Sequence, residues 1–298
     1  MFYNYNRFLN TLKVIVPVLL MIGLLSCDKF DGDQTIPAYI HIRKISLVDN
    51  TAIVGSLSSK ITDAWVYIDD QFIGAFELPA TFPVLSKGVH TIKVLPGIKM
   101  NGIANTRVAY PFYSTIVLSK SFAENVTLDL DSLTTKYDPN TKFEWKEDFE
   151  LGGVSLQKST VNPGSDTSLI KTDSSAYVFE GIYSGMITLD PTMNFFELET
   201  INKFVLPRAA SPVFLEMDYK TNTALTIGLD AYSSNVASQV ATITLLPTTT
   251  WKKIYINFTP TIGNFSTADN FRVFFGQMLS TTGGHPLILL DNIKLVHP

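Results

Sequence analysis

Short runs in which apolar and polar residues alternate, each closed by a turn signal, constrain this chain more than any other feature. Ala38, Ile40 and Ile42 alternate with Tyr39, His41 and Arg43, and Val89-His90-Thr91-Ile92-Lys93-Val94 repeats the pattern. A period of two is the mark of a half-buried strand. Asp69-Asp70-Gln71, Lys87-Gly88 and Gly283-Gly284 supply turn residues between runs. No long segment carries a helical period. The fold class expected is therefore all-β, built as sandwiches of short strands.

Composition agrees. The chain has 20 Phe and 12 Tyr and is 46% hydrophobic but only 17% charged, a balance that suits pleated surfaces. Its net charge of -4 comes without basic blocks, which argues against nucleic acid, because phosphate binding needs clustered Lys and Arg. Cys27 is the single cysteine, so stability must come from apolar cores and not from disulfides.

The N-terminus reads as an export signal. Arg7 and Lys13 precede Val14 to Leu25, a charge-free stretch shorter than the ~20 residues that span a bilayer. Leu24-Leu25-Ser26-Cys27 resembles the bacterial lipobox. That resemblance implies cleavage after residue 26, lipid on Cys27 and anchoring to the outer membrane of a Gram-negative bacterium. The alternative is an ordinary signal or anchor with an incidental cysteine. Residues 27–35, with Asp28, Asp31 and Asp33, form an acidic tether too polar to bury. The tether resembles the signal that sends lipoproteins to the cell surface; the periplasmic face is the other option.

Residues 36–131 are expected to form a first sandwich, Ig-like in its strand number. Val66-Tyr67-Ile68-Asp69-Asp70 with Ile73-Gly74, followed by Gly88-Val89-His90-Thr91-Ile92-Lys93-Val94, resembles the PEGA surface module in spacing. His90 would support strand pairing there, and Trp65 is expected in the core. The prolines of Leu78-Pro79-Ala80-Thr81-Phe82-Pro83 rule out a central strand. Residues 132–141, polar and ending in Asp138-Pro139-Asn140, read as a linker. Asp131-Ser132-Leu133 also resembles a bacterial O-glycosylation site.

Residues 142–298 are expected to form a larger jelly roll. Asp148-Phe149-Glu150, Trp251-Lys252-Lys253-Ile254-Tyr255-Ile256 and Leu290-Asp291-Asn292-Ile293-Lys294-Leu295 resemble galactose-binding-like modules, among them many carbohydrate-binding modules. The resemblance implies that Glu150 and Asp291 share a structural calcium, which takes hard oxygen ligands; without metal they are two strand-end carboxylates.

Catalysis finds little support. Glu216-Met217-Asp218 matches the start of the Glu-x-Asp-x-x-Glu strand of sandwich β-glucanases, but Thr221 stands where the second acid belongs. Glu216 and Asp218 are expected to face solvent. The histidines His41, His90, His285 and His297 lack a nucleophile-elbow context. Binding remains, with Trp145, Tyr183, Tyr232, Arg272 and Gln277 as candidates for stacking on sugar rings or fixing hydroxyls. The expectation is a non-catalytic binding module for glycan or another extracellular ligand. The alternative is an accessory subunit docked on an outer-membrane protein complex.

Overall fold

The computed structural model describes residues 36–165, 169–189, 195–208, 210–278 and 286–298. The signal, Cys27 and the tether fall outside them, as does His285. No helix among the described residues is long and apolar enough to cross a membrane.

The first sandwich comprises β1 (Ala38–Ile42), β2 (Lys44–Leu47), β3 (Asp63–Ile68), β4 (Gln71–Glu77), β5 (Ala80–Val84), β6 (Gly88–Lys99), β7 (Arg107–Ala109), β8 (Ile116–Phe122), β9 (Thr127–Asp129) and β10 (Ser132–Thr135), with one helical turn, α1 (Thr51–Val54). One side is ordered β5-β1-β9, extended by the pair β2-β10; the other runs β4-β3-β6, with β7 and β8 both on β6. Ile40, Ile42, Val66, Ile68, Ile92 and Val94 fill the space between, each worth ~1.5–3 kcal/mol when fully buried.

Local sequence explains the connections. Asp69 and Asp70 have φ of 46° and 65°, the left-handed pair a two-residue hairpin turn needs, and short acidic side chains tolerate it. Pro83 sits on β5, which pairs only with β1, an edge where a missing N–H is tolerated. Trp65 departs from expectation. Alternation buries Ala64, Val66 and Ile68, so Trp65 points to the opposite face, half-buried and stacked on Phe72 at 5.7 Å.

The second sandwich comprises β11 (Lys142–Glu147), β12 (Leu156–Lys158), β13 (Leu169–Thr172), β14 (Ser184–Thr188), β15 (Phe195–Thr200), β16 (Phe214–Thr221), β17 (Leu225–Ser233), β18 (Val236–Leu245), β19 (Lys252–Asn257), β20 (Asn270–Met278) and β21 (Leu287–His297), with the short helix α2 (Thr259–Gly263). One sheet is ordered β13-β14-β21-β16-β19 with β11 also on β21; the other is β12-β15-β20-β17-β18. Apolar residues at every second position of both inner faces, among them Leu215, Met217, Ile227, Leu229, Val273 and Phe275, make the main core.

The two sandwiches are not beads on a string. Residues 38–298 form one compact unit. The stretch expected as a linker is built into the fold: residues 132–135 are β10, paired in parallel with β2, and Tyr137 is 5% exposed. A third core joins the halves, with Ile98, Tyr110, Phe112, Tyr113 and Tyr137 packed on Phe214, Tyr255 and Val296.

That junction overturns a second expectation. Glu216 and Asp218 are 0% and 1% exposed, because the first sandwich covers the outer face of β16. Glu216 accepts from Tyr110 Oη at 2.7 Å and Tyr137 Oη at 2.8 Å. Lys253 Nζ lies 3.8 Å from Glu216 and 3.6 Å from Asp218. Lys294 donates to the Ser56 carbonyl at 2.6 Å and the Tyr137 hydroxyl at 3.3 Å. Glu216 and Lys294 are thus both charge-compensated and hydrogen-bonded, whereas Lys253 is held by charge alone, without a hydrogen bond among the described residues.

Candidate functional site

One group of polar side chains of the second sandwich gathers on the outer face of the five-stranded sheet. Period-two alternation turns Phe271, Val273 and Phe275 of β20 to the core and leaves Asn270, Arg272 and Phe274 outside. The same rule puts Glu197 and Glu199 of β15 and Asp230 and Tyr232 of β17 on that face. Register then aligns Arg272 with Asp230, and Tyr232 with Asn270. Gly276 opposite Glu197 and Gly228 opposite Phe274 leave room for these larger side chains to lie across the sheet.

Arg272 forms an ion pair with the fully buried Glu199 and donates to the Ile201 carbonyl at 3.0 Å and to Thr160 Oγ1 at 3.1 Å. Its guanidinium carbon lies 5.7 Å from the Tyr232 ring centre, and Lys203 Nζ covers the same ring at 3.7 Å. The segment after β12 folds over the face. Asn162 Nδ2 donates to Glu197 Oε1 at 2.9 Å and to Gln239 Oε1 at 3.1 Å. Gln239 Nε2 donates in turn to Glu197 at 3.0 Å and to Asp230 at 2.9 Å.

Two features distinguish this face from ordinary buried polar packing. Glu199 Oε2, Asp230 Oδ2, Asn270 Oδ1 and Arg272 Nε are buried without a hydrogen-bond partner among the described residues. Such orphaned atoms are rare in folded proteins. Burial, reinforced by Glu197 and Glu199 and opposed by the Gln239 hydrogen bond, also pushes the Asp230 carboxyl up to about 7. Around neutrality this group exchanges between acceptor and donor.

Of the five candidates from sequence, the fold brings Tyr232 and Arg272 together. Trp145 is excluded: it is 6% exposed within the main core, stacks near Phe204 at 6.2 Å and donates to Ser155 Oγ at 2.8 Å. Tyr183, just before β14, is half-buried against the main core, with Lys171 Nζ over its ring at 4.2 Å. Gln277, half-buried, shares the strand parity of Val273 and Phe275 and not that of Arg272. Sequence reasoning missed Glu197, Glu199, Asp230, Gln239 and Asn162. The one visible signal was the pair of acids two positions apart, Glu197 and Glu199, on the largely apolar strand Phe195–Thr200.

The calcium pair does not fit the group. Glu150 Oε1 accepts backbone N–H groups of Ile182 and Tyr183 at 2.8 and 2.9 Å. Asp291 Oδ2 accepts from Ser184 Oγ at 2.6 Å and from the Glu180 N–H at 3.3 Å. The loop before β14 therefore offers hydrogens to both carboxylates, where calcium needs further oxygens. No cluster of metal-ligating side chains occurs among the described residues. The glucanase-like Glu216 is sealed under Tyr110 and Tyr137 and meets no substrate.

No protein-family model and no curated protein sequence matches the chain. Solved structures do resemble it in architecture. The family 11 carbohydrate-binding module of the cellulosomal cellulase Lic26A-Cel5E of Clostridium thermocellum matches with a TM-score of 0.38 and 15% identity, over 53% of this chain and 95% of that one. A non-crystalline cellulose-specific module, CBM28, gives 0.35 and 14%, over 50% and 92%. An exo-beta-agarase gives 0.35 and 10%, over 50% of this chain and 25% of its own.

Proposed function

We propose that the chain is a non-catalytic glycan-binding protein, held at the outer membrane by lipid on Cys27 and using the Tyr232–Arg272 face of its second sandwich. The observation that carries this reading is the set of four orphaned polar atoms gathered around one aromatic ring. Sugar hydroxyls both donate and accept, so one saccharide can serve a carboxylate oxygen, an amide oxygen and a guanidinium N–H together. Tyr232 is 5% exposed under Lys203, and its ring supplies an apolar platform only once Lys203 swings aside. Three acids against Arg272 and Lys203 make the face unsuited to an anion, which favours a neutral glycan.

The test is a polysaccharide array probed with the full chain in detergent. Retention of a neutral glycan that Tyr232→Ala abolishes, in a variant whose circular dichroism shows it still folded at the assay temperature, supports the reading. No retained glycan, or equal retention by Tyr232→Ala, removes it. The anchor is checked separately, by labelling wild type and Cys27→Ala with a clickable palmitate; equal incorporation ends that part.

A second reading, an accessory subunit docked on a membrane protein complex, draws on the first sandwich. Register places Val117, Lys93, Tyr67 and Phe72 in one row across four strands. Val117 is 59% exposed and Phe72 52%. Co-purification of a stoichiometric membrane partner that Phe72→Ser releases would favour it.

A further inference from the structure

A basic hollow lies elsewhere, where the two sandwiches meet. A cleft of about 260 Å³ opens there, between the segment following α1, the end of β6, the β18–β19 connection and β19. Its charged lining is Lys60, Lys99, Lys252 and Lys253, with no carboxylate among the lining residues. Tyr219 and Thr248 add a ring and a hydroxyl.

The four lysines differ in their commitments. Lys253 Nζ is buried and makes no hydrogen bond, with Glu216 and Asp218 at ion-pair distance beneath it. Lys99 donates to Glu77 at 2.9 Å, but Glu77 also receives Arg107 at 2.6 Å. Those two cations hold the Glu77 carboxyl down at about 2. Lys60 and Lys252 are exposed, and among the described residues no ion pair engages either ammonium. The cleft thus offers two free cations, a third shared one and a buried orphan donor.

We infer that this cleft binds a single acidic sugar residue, a pyranose carrying one oxyanion. The volume is just under the ~300–1,000 Å³ of sites for drug-sized ligands, which is room for one ring inside the cleft. In this arrangement the two exposed lysines, Lys60 and Lys252, supply charge for the oxyanion, while the exposed Leu246 and Pro247 offer apolar surface to the ring. The inference rests on the chain being a glycan binder, but it uses a different surface and the opposite charge preference from the Tyr232–Arg272 face.

The test is calorimetric titration of the full chain in detergent with galacturonic acid, galactose 6-sulfate, galactose and sodium sulfate. Saturable binding of either acidic sugar, weakened about tenfold or more in Lys60→Ala/Lys252→Ala and by added salt, supports the site. Which sugar binds identifies the oxyanion as carboxylate or sulfate. Both lysines are exposed, so the double variant is expected to keep the wild-type melting temperature. No saturable binding of either acidic sugar overturns the inference, as does equal affinity in the double variant. Inorganic sulfate binding as tightly as the sugars also overturns it. Neutral-glycan retention dependent on Tyr232, measured on the same preparation, separates the two claims: if it persists while acidic sugars fail, only the cleft is lost.

Discussion

Tyr110, from the first sandwich, donates its hydroxyl at 2.7 Å to Glu216 of the second, and both are buried. Glu216 has Tyr137 on its other oxygen. Hydrogen bonds to a buried charge contribute about 1.5–3 kcal/mol. Tyr110→Phe is therefore expected to destabilise the whole chain by about that amount. A double-mutant cycle with Glu216→Gln should show positive coupling. Because the third core is shared, both sandwiches should melt in one transition, which calorimetry checks; two separated transitions would contradict it.

Alkaline pH should unfold the protein cooperatively. Burial raises the phenol groups of Tyr110, Tyr113, Tyr137 and Tyr255 above their ordinary value near 10. Above pH ~10 the unfolded chain releases those protons and the folded chain keeps them, so stability falls as pH rises. Tyrosinate absorbance at these sites is expected to appear together with loss of structure, not before it.

Asp230 gives the opposite end of the scale. Its carboxyl rises from 3.8 to about 7 on folding. Between those values the folded state holds a proton the unfolded state has lost, so stability decreases from pH 4 to pH 7, by on the order of 4 kcal/mol for this group. Asp291, also raised to about 7 by burial, acts in the same direction. Asp230→Asn should make the chain more stable at pH 8 and reduce the slope of denaturation midpoint against pH, leaving the Asp291 share. An unchanged slope would remove the assignment.

Gly228 tests the packing of the candidate face. A Cβ there would overlap the Val240 carbonyl oxygen and the Phe274 ring. Overpacking of this kind costs about 1–3 kcal/mol. Gly228→Ala is expected to lower the melting temperature and, by pushing Phe274, to disturb the row that carries Glu199. Thermal denaturation measures the first effect and glycan retention the second.

What the sequence disclosed was what short-range chemistry decides. The Asp69-Asp70 turn, the edge position of Pro83 and the period-two strands all depend on a few neighbouring residues. Trp145 and Glu216 were misplaced for a different reason. An aromatic or an acid on an alternating strand has no local mark saying whether a second layer will cover it, and here the first sandwich covers Glu216. Tyr232 and Arg272 were singled out separately, but their adjacency comes from β17–β20 register. The lysine cleft drew on positions 60, 99, 252 and 253, which only the joined halves bring together.

The shared tyrosine-lined seam has a practical consequence for anyone dissecting this molecule. A fragment started at Lys142 would leave Phe214, Tyr255 and Val296 wet and strand Glu216 without its two phenols. Excision at the apparent boundary is thus expected to give insoluble halves, and because β21 at the C-terminal end is a central strand of its sheet, useful truncations should remove only residues that precede β1.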